Sequence, residues 1–183
     1  MKYSNAFVKN IFTDSMQGFR IDMQSIVDIT FLLNKKLLIL EKKQISTKVI
    51  YFKYIEDINS EKISKIDIHG GSINHLALKL VGNKYLEKIG CFDNKYELEF
   101  EGYFPDVISQ NKKIIVESGN TNPDKIFNYF KNKKLQKLII IPYPNDTEKF
   151  INAYIFTPSA ELSDFLDFTE KEKIKDIKKY KSK

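Results

Sequence analysis

The clearest periodic signal in the chain lies between Ser72 and Gly90. In "SINHLALKLVGNKYLEKIG" apolar side chains fall at Ile73, Leu76, Ala77, Leu80, Val81, Tyr85 and Leu86, the spacing of one helix face. Ser72 is an N-cap and Gly90 a C-terminal stop, so this stretch predicts a helix. A second helical spacing occurs earlier, in "IDMQSIVDITFLLNKK". After Gly90 the period changes to two: "YELEFEGYF" alternates Tyr96, Leu98 and Phe100 with Glu97, Glu99 and Glu101, the pattern of a half-buried strand. "KKIIVES" and "KLIIIPY" are short apolar runs that predict buried strands, and "NPDKIFNYFKNK" between them predicts a helix opened by Asn122 and Pro123.

From Ser72 onward the predicted order is therefore helix, strand, strand, helix, strand, which is an α/β layer arrangement. Upstream, "KVIYFKYIEDI" is β-branched and aromatic and reads as a strand, so that "LLILEKKQISTKVIYFKYI" is expected to form a hairpin, with "EDINSEKISK" as a polar connector. These signals divide the chain into an N-terminal α/β extension over residues 1–60, a core over 61–168 and a basic tail over 169–183. No internal repeat is visible.

Composition changes this picture only in part. The chain has 183 residues, is 42% hydrophobic and 13% aromatic, and so suits one folded unit with a sizeable core. Its apolar runs are broken by lysines, as at Lys35 and Lys36, and none reaches the roughly 20 residues of a membrane span. With one cysteine, Cys91, no internal disulfide forms, and no secretory leader is evident, so a cytoplasmic location is expected. The net charge of +6 owes +4 to the tail "TEKEKIKDIKKYKSK", where seven Lys face three acids. The body is close to neutral, and attraction to nucleic-acid phosphate falls mainly to that arm. Arg20 is the sole arginine. Phosphate-cradling glycine loops of the P-loop and dinucleotide types are absent, and Cys91 with His69 and His75 lacks zinc-ligand spacing.

The chemistry concentrates in "PDVISQNKKIIVESG". Pro105-Asp106 precedes a turn and Glu117 ends the next strand, so a hairpin register brings both carboxylates to one edge of a sheet. Two such groups repel unless a cation lies between them, and a hard ion such as Mg²⁺ (or Mn²⁺) takes oxygen ligands, here the two carboxylates and the carbonyl of Ser118. On spacing alone, a turn Asp and a surface Glu remain the alternative. Glu97, Glu99 and Glu101 read first as a solvated strand face, with Glu99 or Glu101 the ones to approach that edge.

The order Gly71-Ser72-x-x-His75 on a helix, Gly90, Pro105-Asp106, then Val116-Glu117-Ser118-Gly119 resembles the PD-(D/E)XK nuclease superfamily. Among its branches it is most similar to the archaeal Holliday-junction resolvases and related nucleases of archaeal viruses. The likeness covers His69 to Tyr143. It implies a restriction-endonuclease-like core, a central mixed β-sheet flanked by helices, and a metal-dependent DNA endonuclease acting on branched DNA as a homodimer. It also implies metal ligation by Asp106, Glu117 and the Ser118 carbonyl, with His75 where the resolvases carry Glu. The family's lysine is replaced by Gly119. Two lysines stand to supply its charge: Lys125, because "KIFNY" resembles the Gln-x-x-x-Tyr helix motif completed here by Tyr129, and Lys79, one turn beyond His75. A nuclease fold that binds DNA or a protein partner without cleaving remains the alternative, favoured by Gly119.

Overall fold

The computed structural model describes residues 2–13, 21–64 and 70–169. Within them the chain runs α1 (Asn5–Phe12), α2 (Met23–Asn34), β1 (Leu38–Thr47), α3 (Lys48–Asn59), α4 (Ile73–Lys88) and β2 (Lys95–Tyr96). It continues through β3 (Val107–Ile108), β4 (Ile114–Ser118), α5 (Asp124–Lys131), β5 (Lys137–Ile141) and β6 (Phe150–Pro158), then a helical stretch over 162–169. His69, Arg20 and all but the first residue of the basic tail lie outside the described residues.

The strands form one six-stranded sheet in the order β1-β6-β5-β4-β3-β2, parallel between β4 and β5 and antiparallel elsewhere. It is thus a mixed sheet. Period-two alternation along its central strands divides the core into two layers. Ile115, Leu138 and Ile140 face a cluster with Val8, Ile11, Ile29, Ile126 and Phe130, from α1, α2 and α5. Val116, Ile139 and Ile141 face the other way, toward Tyr51, Ile58, Leu78 and Val81 of α3 and α4. Both faces of β4 and β5 are buried, which explains why these strands read as unbroken apolar runs. At Gly82 on α4, an added methyl would lie 2.8 Å from Val116, so glycine there lets helix and sheet approach.

Residues 1–60 are built into this same sheet and core. β1 pairs with β6 along its length, and the Phe12 carbonyl accepts from Thr121 N–H beside α5. Two predictions for the strands fail here. "KVIYFKYIEDI" is α3, a helix, and there is no hairpin: Thr47 caps it by accepting from Ile50 N–H, and its apolar residues pack on α4. The β-branched residues signalled a strand, but helical spacing of Tyr51, Ile55 and Ile58 toward one core cluster prevails over local propensity. The first part of the expected connector, residues 56–59, belongs to α3. "YELEFEGYF" is likewise not a continuous strand. Only Tyr96 lies in β2, Glu97 and Glu101 take positive φ, and a tight turn joins Phe100 to Tyr103 through Glu101 and Gly102.

Candidate active site

Asp106 and Glu117 meet at one end of the β3–β4 hairpin. The register pairs Val107 with Val116, which sets Asp106 and Glu117 at the next step, and Asp106 Oδ2 accepts from the Ser118 amide at 2.6 Å. Both are almost fully buried, at 8% and 3% exposure. The predicted juxtaposition of these two residues therefore describes where they lie. Their partners come from opposite layers.

Asp106 turns toward α4. His75 Nε2 lies 3.0 Å from its Oδ1, and the Lys79 ammonium lies 3.5 Å from the same oxygen. Lys79 is wholly buried, donates to the Gly70 carbonyl at 3.1 Å and forms a close ion pair with Glu97. Burial raises the Asp106 pKa, but the His75 hydrogen bond and charge, the Ser118 amide and Lys79 together outweigh it and hold Asp106 below the usual carboxylate range. The helix itself makes this possible. Ser72 caps it by accepting from His75 N–H, so the four-residue spacing from His75 to Lys79 stacks both on one face above Asp106.

Glu117 turns toward α5. Lys125 donates to both of its oxygens, at 2.9 and 2.8 Å, and Tyr129 O–H donates to Oε1 at 2.6 Å. Lys125 and Tyr129 sit one turn apart on a helix that follows Asn122 and Pro123, with the Asn122 side chain accepting from Asp124 N–H. Burial pushes the Glu117 carboxyl up to about 6, with the Asp106 charge adding to it and Lys125 and Tyr129 opposing. The Tyr129 phenol is raised by burial and by the Glu117 charge.

The structure thus brings together Asp106, Glu117, Ser118, His75, Lys79 and Lys125. It also supplies Glu97, which the sequence reading left among solvated acids. Of its two neighbours, Glu99 accepts from Gly102 N–H and Glu101 from the Asn132 amide, so neither approaches the pair. The alternation hid Glu97 because its positive φ takes it out of strand geometry and aims it at Lys79. Gly119 also has φ +72, and an added Cβ would lie 2.7 Å from the Tyr143 ring. A side chain at position 119 would displace the Tyr143 ring, while Lys125 reaches Glu117 from the adjacent helix.

Among the described residues, no group of three His, Cys, Asp or Glu side chains is arranged to hold a metal ion. The hairpin end instead offers two carboxylates, Asp106 and Glu117. Both are hard oxygen donors, the Asp106 charge raises the Glu117 pKa, and a divalent cation there would relieve that repulsion. No helix among the described residues is long and apolar enough to cross a membrane. Compared with protein-family models, with curated proteins and with solved structures, the chain gives no significant match.

Proposed function

We propose that the protein is a metal-dependent DNA endonuclease of the PD-(D/E)XK type, with a restriction-endonuclease-like core, hydrolysing phosphodiester bonds in branched DNA. The observation that supports this most is that Lys125 from α5 and Lys79 from α4 flank the adjoining carboxylates Asp106 and Glu117 at one hairpin end. Asp106, Glu117 and the Ser118 carbonyl would hold Mg²⁺ or Mn²⁺. When bound, such an ion activates a water and steadies negative charge on the phosphate.

The chain's own residues do the rest. The Ser118 amide and His75 fix the Asp106 carboxylate, Tyr129 fixes Glu117, and both acids are thereby aimed before substrate arrives. Lys125, with its side chain 22% exposed, is the cation that can leave Glu117 and meet phosphate oxygen. Lys79, fully buried, is a positioning residue that holds Asp106 and Glu97. A two-fold homodimer would present two such sites to the two strands.

Nicking of supercoiled plasmid in Mg²⁺ or Mn²⁺ tests the proposal. Asp106→Asn and Glu117→Gln are expected to reduce nicking to background with unchanged circular dichroism; cutting at the wild-type rate by either variant overturns it. A second reading is favoured by one contact: Lys125 already gives Glu117 a cation. On that reading the protein binds DNA without cleaving it, and wild-type protein that retards DNA but nicks none in either metal would establish it.

A further inference from the structure

A cavity of about 300 Å³ opens between the start of α3, the start of α4 and the β5–β6 connection. Its walls include Lys48, Tyr51, Phe52, Asn74, Tyr143 and Asp146. Tyr143 joins it to the site: its ring lies against Gly119, next to Ser118, and it is hydrogen-bonded to Ser72, the α4 cap. We propose that this cavity receives one unpaired nucleobase of the strand whose phosphate lies at Asp106 and Glu117, so that the substrate is DNA with a single-stranded or extruded nucleotide at the cut. This rests on the endonuclease reading for the placing of the phosphate.

The lining has the chemistry of a base subsite. Phe52 is 50% exposed although it is a large apolar ring, and Tyr51 packs beside it with ring centroids 5.5 Å apart, so an aromatic surface faces the opening. Every base has a π-face, and stacking on such a ring is tolerant of sequence. Lys48 carries its ammonium 5.9 Å from the Phe52 ring and is held by the Asn145 carbonyl at 2.7 Å, a positive charge at the rim for a neighbouring phosphate. The Asn74 amide offers both a donor and an acceptor to a base edge, and Asp146 a further acceptor. A stacked, paired base cannot reach this depth without leaving the helix, and unpairing costs least where the nucleotide is already free.

The experiment measures binding rather than cleavage. Fluorescence anisotropy in Ca²⁺ compares a single-stranded oligonucleotide carrying one 2-aminopurine with the same sequence as a blunt duplex. Phe52→Ala is expected to weaken single-strand binding by roughly tenfold to a hundredfold, more than duplex binding, and to abolish the quench of 2-aminopurine. Phe92→Ala, another exposed ring, located outside the cavity, is the matched control. Unchanged binding, or an equal loss on both substrates, overturns the inference. If no plasmid is nicked but Phe52→Ala still loses the single strand selectively, the endonuclease reading falls and the base subsite stands. If plasmid is nicked and Phe52→Ala keeps its affinity and quench, the subsite falls and the endonuclease reading stands.

Discussion

On the α4 side, Asp106 is held by an amide, an imidazole and a lysine with no exposed surface, and its pKa lies below the ordinary carboxylate range. On the α5 side, Glu117 is held by a lysine that retains some exposure and by one phenol, and its carboxyl rises to about 6. The two acids adjoin on one hairpin, yet one is fixed as an anion and the other is poised near neutrality. What differs is how completely burial is compensated. Asp106 meets enough donors to overcome desolvation, and Glu117 does not. Two buried lysine–carboxylate pairs can therefore serve different ends, one as architecture and one as a movable charge.

Removing each lysine separates these roles, and Lys79 carries the larger effect on stability. Lys79→Ala strands Glu97 and weakens the holding of Asp106 while emptying a fully buried volume, so a loss of about 3 kcal/mol is expected. Urea unfolding measures it. Lys125→Ala is expected to cost about 1 kcal/mol or less, because Glu117 can take a proton instead of losing a partner. Equal losses from the two would end the distinction.

Activity is expected to reverse that ranking of stability: Lys125→Ala should lower the single-turnover cleavage rate by about a hundredfold, the size of deleting one transition-state donor, with DNA affinity much less changed. A rate equal to wild type would remove Lys125 from the chemistry. The pH dependence comes next. Glu117 is raised from 4.5 to about 6 on folding, so the native state binds its proton more tightly, and stability falls by about 2 kcal/mol as pH rises across that window. Glu117→Gln should flatten the change. Asp106 works with the opposite sign: its lowered pKa adds stability above 3.8 that is lost as pH falls further. In the metal-free protein Glu117 ionises as pH rises through about 6, and Lys125→Ala should move that titration to higher pH, read from the pH dependence of stability. Tyr129→Phe removes one hydrogen bond from Glu117 and should cost about 1 kcal/mol. An unchanged Glu117 titration in metal-free Tyr129→Phe would show that the phenol does not tune Glu117.

The site was readable in the sequence wherever one local rule decided the outcome. The Ser72 cap and the His75–Lys79 spacing fixed the α4 face, the apolar run ending at Glu117 fixed β4, and Lys125 with Tyr129 fell one helical turn apart. Where tertiary packing overrode local preference, the reading failed. α3 carries strand-forming residues on a helix that α4 stabilises, and Glu97 leaves a perfect alternation through a left-handed backbone that no pattern announces. The division at residue 60 is also absent from the packing, because the partner of β1 is β6, over a hundred residues later in the chain.

Gly119 and Tyr143 form a lock between two positions. A lysine at 119 would need a left-handed backbone that L side chains rarely adopt, and its Cβ would strike the ring that bonds Ser72. A path that places a lysine at position 119 by single substitutions must therefore pass through a protein with a displaced Tyr143 or a strained turn. Meanwhile Lys125 already touches Glu117, so the intermediate gains little from the second cation. Any single-step route to the other arrangement crosses that unfavourable middle step, whatever advantage the arrangement would bring once reached.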